Sequence, residues 1–276
     1  MTQADFEFIR SLAYENTGIV LPERKMHMVY SRLSRRLRQL KLKDFSQYCS
    51  YVSDTPNERM NFINALTTNL TAFFREEHHF NYLEQVIVPE WGKENKKRRR
   101  IWSSACSTGE EPYSIAMTLE KHFPSAKSDL KILATDLDTN VLQKAAAGTY
   151  SCDSVTNLPK RYTEKYVDQS PDNQHIQMRS NIQKMVHFKQ LNLLEKWPMT
   201  GPFDIIFCRN VLIYFDNDTK KQIIAKFRKM LSPHGYLFIG HSETLMNISE
   251  EFDLIGQTIY RPLGHGGKKL TKVKVR

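Results

Sequence analysis

The sequence lacks any apolar run near the ~20 residues of a membrane-spanning helix, so bilayer insertion is not expected. Its start carries Asp5 and Glu7 rather than the basic-then-apolar pattern of a secretory leader. Together these two absences lead to the expectation of a soluble, cytoplasmic protein. Cysteine is sparse, at Cys49, Cys106, Cys152 and Cys208, with no Cys-x-x-Cys pair. The nine histidines show no metal-ligand spacing. Free thiols in a reducing compartment are expected, and no metal site. Glycine is missing altogether between Thr149 and Thr200.

What is present is basic. The 276 residues carry a net charge of +10, with a pI near 9.3. Such a balance suits an acidic partner, whether nucleic acid, anionic membrane or an acidic protein surface, and does not choose among them. Part of the excess lies in Lys268, Lys269, Lys272, Lys274 and Arg276, which follow three glycines. Residues 266–276 read as a disordered basic tail. Hydrophobic residues at 40% suffice for a sizeable core. The length favours one large domain plus a small one, at roughly 100–200 residues per domain.

Helical periodicity dominates the start. Phe6, Ile9, Leu12 and Ala13 recur on one face, Gly18 stops that segment and Pro22 opens the next. A long helix is predicted over Glu23–Leu40, and Pro56 marks the first turn of a later one. Residues 1–75 are expected to be all-helical and 76–95 a linking helix. After the basic run Lys96–Arg100, apolar strand-like runs alternate with helical patterns. Strands are predicted at Arg100–Ala105, Lys131–Thr135, Val186–Leu191, Phe203–Cys208, Gly235–Gly240 and Ile255–Tyr260. Helices fit Glu111–His122, Thr139–Ala147 and Asp218–Met230. That alternation predicts an open α/β sheet over 96–265. Residues 149–185 break the rhythm and read as an inserted subdomain holding a small hairpin.

Three strand ends carry the chemistry. Ile101–Ser114 runs from a strand through the small residues Ser103, Ser104, Ala105, Cys106, Ser107 and Gly109 to a helix near Pro112. Small residues let backbone approach a ligand at the carboxyl end of a strand, where open α/β sheets bind ligands. This loop has neither the Gly-x-Gly-x-x-Gly spacing of dinucleotide sites nor a P-loop lysine. Glu110 and Glu111 would repel a phosphate there and suit a ligand with a positive centre, such as S-adenosylmethionine; they would equally favour the helix dipole. Asp136 follows the second strand and can accept from ribose hydroxyls, while Asp138 suits a helix N-cap. Phe203–Cys208 delivers Arg209, Asn210 and Tyr214 to the same edge.

Several strings resemble one family closely. They are Thr68-Asn69-Leu70-Thr71-Ala72-Phe73-Phe74-Arg75-Glu76, the Ser107–Ser114 run, Asn192-Leu193-Leu194, Cys208–Phe215 and Gly240-His241-Ser242-Glu243. In order, and over nearly the whole chain, they resemble the chemotaxis receptor glutamate methyltransferases, the CheR family. The resemblance implies a class I (Rossmann-like) S-adenosylmethionine-dependent methyltransferase sheet, a small all-α N-terminal domain for receptor recognition and an inserted antiparallel β-subdomain. It implies cofactor contacts from Asn69, Thr71, Arg75, Glu111, Asp136, Asn192, Leu193, Arg209 and Asn210, and it selects Glu111 over Glu110. Arg75 and Tyr214 would lie near the methyl group and its acceptor. Lys25, Arg32, Arg36 and Arg38 match basic positions that grip the acidic methylation helices of the receptor.

The implied chemistry is an in-line displacement by a glutamate carboxylate, ionised at neutral pH because its ordinary pKa is about 4.3. Such a site needs alignment and dryness but no base. An RNA methyltransferase and a cofactor-binding signalling module without turnover are the alternatives. The Arg209-Asn210-Val211-Leu212 turn does not read as the Asn/Asp-Pro-Pro-aromatic turn of base-amino methylation, and the basic helix lacks the interleaved aromatics of a nucleic-acid platform. Relatives that dock a receptor's C-terminal peptide on the inserted subdomain tend to carry a glycine-rich turn, so no such tether is expected here. A monomer is expected.

Overall fold

The computed structural model describes residues 1–94, 98–124, 128–156 and 158–264. The tail 266–276 and the start of the Lys96–Arg100 run lie outside the described residues.

Helix α1 (Gln3–Thr17) opens with a capping box. Thr2 accepts from the Asp5 amide at 3.2 Å, and the Thr2 amide donates to Asp5 Oδ2 at 2.6 Å. Gly18 ends the helix in the left-handed region at φ 68°. The segment read as one helix over Glu23–Leu40 is a 3₁₀ turn, Glu23–Lys25, followed by α2 (Met26–Leu40). Helix α2 buries Val29, Leu33 and Leu37 against α3 (Phe45–Asp54) and α4 (Pro56–Leu66). Pro56 occupies the first turn of α4, where its missing N–H costs nothing. The helical unit closes at Leu66. Residues 67–77 contain no regular element and lead to α5 (His78–Tyr82), a π turn (Leu83–Ile87) and α6 (Val88–Gly92).

The remainder is built in alternation: β1 (Arg98–Ser103), α7 (Glu110–Glu120), β2 (Asp129–Asp136), α8 (Thr139–Ala147), β3 (Thr149–Ser151), α9 (Lys160–Tyr166), β4 (Val167–Gln169), β5 (His175–Met178), α10 (Ser180–Gln183), β6 (Val186–Gln190), β7 (Phe203–Cys208), α11 (Asn217–Met230), β8 (Leu231–Ile239), β9 (Phe252–Gly256) and β10 (Ile259–Pro262). Seven strands form one sheet in the order β6-β2-β1-β7-β8-β10-β9. The first five run parallel, and β10 is antiparallel to both neighbours. Strand β7 is buried at all six positions, as a central strand covered on both faces should be. One face packs Phe207 on Phe238 with ring centroids 4.4 Å apart; the other packs Trp102 against Trp197 and Phe227.

Three expectations change. The run Ile255–Tyr260 is a hairpin, β9–β10, turning at Gln257–Thr258 with Thr258 at φ 55°. Gly256, Gln257 and Thr258 mark the turn in the sequence, although a threonine rather than a glycine takes the left-handed position. Strand β8 begins at Leu231, ahead of Pro233, and its pairing with β7 shifts register between Phe203 and Ile205. The inserted antiparallel β-subdomain is present, and the hairpin expected in it is extended to three strands, β3-β5-β4. Between β4 and β5, Asn173 adopts φ 55°, so a turn forms there without glycine.

Candidate active site

The sheet order reverses at β1, whose neighbours are β2 and β7. A cleft of about 1070 Å³, counting its open mouth, lies at the carboxyl ends of these strands. Its other wall is Thr17, Ile19 and Leu21 from the α1–α2 connection and Leu66–Thr71 from the end of α4 and the loop after it. All nine residues expected to touch the cofactor line it: Asn69, Thr71, Arg75, Glu111, Asp136, Asn192, Leu193, Arg209 and Asn210. Tyr214 and Lys25 line it too.

Glu111 enters from the first turn of α7. Its Oε1 accepts from Ser103 Oγ at 2.7 Å and its Oε2 from Arg209 Nη1 at 3.0 Å. Burial pushes its carboxyl up, against the pull of Arg209 and Ser103. Glu110 turns instead to Thr108 Oγ1, 2.7 Å away, and does not line the cleft. Asp136 ends β2. Its Oδ2 accepts from the Ser107 amide at 2.8 Å and its Oδ1 from the Asp138 amide at 3.0 Å. Burial raises it as well, and those amides oppose the rise. The buried Glu111 and the half-buried Asp136 thus flank a loop of small residues, an environment in which a positively charged ligand is favoured over an anionic one. The donor set fits S-adenosylmethionine. Glu111 and Arg209 would meet its amino-acid end, and Asp136 its ribose.

Asp138 caps α8, accepting from the Asn140 amide at 2.8 Å. Its other oxygen accepts from Thr67 Oγ1 at 2.6 Å and from Asn69 Nδ2 at 2.7 Å. This helix cap therefore also ties the loop after α4 to the sheet. The Asn69 carbonyl accepts from Ser107 Oγ at 2.8 Å. Asn192 donates to the Asn16 carbonyl at 2.9 Å, and the Leu193 carbonyl accepts from Lys226 at 3.2 Å. Arg75 donates to the Leu70 carbonyl at 2.8 Å. Tyr214 accepts from the Val20 amide through its carbonyl at 2.9 Å, and the Lys25 ammonium lies 5.1 Å from its ring centroid. No histidine is among the described residues that line the cleft.

The basic residues of the second helix separate. Arg36 makes a two-pronged pair with the buried Glu58, both contacts at 2.6 Å. Arg32 donates to the carbonyls of Leu66 and Thr67 at 2.6 and 2.8 Å, capping the carboxyl end of α4. Arg38 is exposed. Of the four expected receptor contacts, only Lys25 lies in the cleft.

Sequence reasoning assigned no role to two further acids, although both stand in the strings quoted above. Glu76 lies 3.2 Å from Arg209 and accepts from Asn210 Nδ2 at 3.1 Å. Burial would raise it, but His241, Arg209 and Asn210 hold it down at about 2. Glu243 accepts from the Asn210 amide at 3.0 Å. Ligand-type atoms of Glu76, His78 and His79 lie within 4.8 Å of one another. That carboxylate is already engaged by Asn210, His241 and the adjacent guanidinium, and a metal cation there would face Arg209.

A sheet of this order with an acid-lined cleft at its switch point defines an S-adenosylmethionine-dependent methyltransferase of class I. Comparison with known proteins makes this more specific. Residues 69–261 match the CheR methyltransferase SAM-binding domain, and residues 4–67 match the CheR methyltransferase all-alpha domain. The chain is 45% identical over 265 residues to a chemotaxis protein methyltransferase of Salmonella typhimurium, covering 94% of this chain and 90% of that one. It is 44% identical to that of Escherichia coli, over 94% and 91% of the two chains. It is 42% identical to chemotaxis protein methyltransferase 2 of Pseudomonas aeruginosa, over 95% and 94%. The chain belongs to the CheR methyltransferase family. It is an S-adenosylmethionine-dependent methyltransferase of chemotaxis, and neither alternative role finds support.

Proposed function

We propose that the chain is a protein-glutamate O-methyltransferase, esterifying glutamate side chains on the cytoplasmic methylation helices of chemoreceptors. The observation that carries this reading is a cleft with acids at its floor, Arg75, Lys25 and Tyr214 among its lining residues, and no histidine. A carboxylate acceptor arrives ionised and needs no base. The bound cofactor supplies an electrophilic methyl group. Glu111, Arg209 and Asp136 orient the molecule that carries it. Arg75 and Tyr214 hold the incoming carboxylate by hydrogen bonds. A single cation suffices to align the acceptor, whereas a tight buried pair would dull its nucleophilicity. The wall formed by Thr17, Ile19 and Leu21, at and just after the end of α1, excludes competing water.

The receptor's acidic helix is read by the exposed basic face of α2, with Lys25 nearest the acceptor. Arg32 and Arg36 support that face from within, since both are committed to partners inside the helical domain. Methyl-labelled cofactor and receptor-containing membranes test the reading. The expected product releases labelled methanol in alkali, as a glutamyl ester does. Alkali-stable label, or none, would overturn it.

A further inference from the structure

Two acids, the half-buried Glu76 and the buried Glu243, hold the Arg209–Tyr214 segment, and neither lines the cleft. Glu76 comes from the loop before α5. Its Oε1 accepts from Asn210 Nδ2 at 3.1 Å and from His241 Nδ1 at 2.8 Å. Its Oε2 accepts from the His241 amide at 3.1 Å and sits 3.2 Å from the guanidinium of Arg209. Arg209 in turn reaches Glu111 at 3.0 Å, so one guanidinium is shared between Glu76 outside the cleft and Glu111 within it.

Glu243 comes from the loop after β8 and is 7% exposed. Its Oε2 accepts from the amides of Gly240 and Asn210, at 2.5 and 3.0 Å. Its Oε1 accepts from the Ile213 amide at 3.3 Å. Backbone N–H groups from two loops therefore converge on one carboxylate. Asn210 itself stands at φ 58°, in the left-handed region. Such a conformation persists where its surroundings over-determine it. Gly240 is part of that arrangement. A Cβ there would fall 2.5 Å from Asn210 Nδ2 and 2.9 Å from Glu243 Oε2, so the close approach requires bare backbone.

We propose that Glu76 and Glu243 are positioning residues for methyl transfer, with separate tasks. Glu76 sets the cofactor side by balancing Arg209, so that Glu111 keeps capacity to accept from the cofactor's amino group. Glu243 sets the acceptor side by fixing the turn from Asn210 to Tyr214. The proposal rests on the functional reading above.

The test uses the full chain with Glu76→Gln and Glu243→Gln, each made separately. Glu76→Gln is expected to weaken S-adenosylhomocysteine binding about tenfold in calorimetry, as loss of a buried charge partner should. Glu243→Gln is expected to leave that affinity within about threefold while lowering kcat about 30–100-fold, the scale set by a misplaced group near the chemistry. Amide exchange at Asn210 and Ile213 should quicken in Glu243→Gln. Glu76→Asp and Glu243→Asp keep the charge and shorten the reach; they serve where a Gln variant melts early, and the same split is expected. Parallel losses of affinity and rate in both variants, tracking only the folded fraction, would overturn the proposal. So would unchanged exchange with unchanged rates. If wild-type protein forms no alkali-labile label, the functional reading fails alone, and calorimetry and exchange still judge the two clamps.

Discussion

The helical domain and the sheet domain use charge differently. In α2 the cations alternate between solvent and partners within the domain: Arg38 faces water, Arg36 turns to Glu58 and Arg32 caps α4. At the strand ends, acids and Arg209 are held towards one another by backbone that the sheet register fixes. Helical period gives a direction around the axis and leaves the reach of a long side chain open. A strand end gives a place. Charge is therefore a weak guide to function on α2 and a strong one after β1, β2 and β7.

The largest expected effect breaks the sheet side. Arg209→Leu strands Glu76 and Glu111 without their shared cation and should cost about 3–5 kcal/mol in denaturant unfolding, the scale of a broken buried pair. On the helical side, Glu58→Gln should cost about 1–3 kcal/mol. Calorimetry on its folded fraction should find cofactor affinity unchanged, because that pair lies away from the cleft.

His79 sharpens the contrast through pH. It is fully buried, and burial with the nearby Arg209 lowers it to about 3. The unfolded chain takes up its proton near 6.5, so the unfolded state binds more protons between the two values. The stability that the neutral ring contributes is whole above 6.5 and is lost as pH falls from there towards 3, at no more than about 1.4 kcal/mol per pH unit. Thermal melts should follow that slope, and His79→Gln should flatten it.

Two smaller effects concern partners. Arg38→Glu should change stability by less than about 0.5 kcal/mol while raising the KM for receptor membranes a few-fold at low salt. High salt should erase the difference, since the charge is exposed. A receptor C-terminal peptide should give no calorimetric heat at micromolar concentration. Measured binding would show that β3 or β4, both edges of the inserted sheet, accepts an added strand.

Legibility followed the same division. Phe203–Cys208 and Thr139–Ala147 are strand and helix over the ranges expected from apolar pattern and caps. The β9–β10 turn is marked by Gly256-Gln257-Thr258, but with Thr258 rather than the glycine in the left-handed position those short flanking runs read as one strand. The nine cofactor-side residues came through resemblance, with physical support at Glu111, Asp136, Arg209 and Asn210. Glu76 and Glu243 stayed silent because their partners are 134 and 33 positions away, respectively, at Asn210. No local spacing encodes such pairs.

The contacts between Val20 and Tyr214, and between Asn192 and Asn16, have one more consequence. The two family matches meet between residues 67 and 69, but the pocket straddles that boundary. Cut there, the sheet would keep its strands and its acids and lose a wall. The helical domain is thus masonry of the chamber at the strand ends as well as a core of its own, and a change in its tilt would reshape that room.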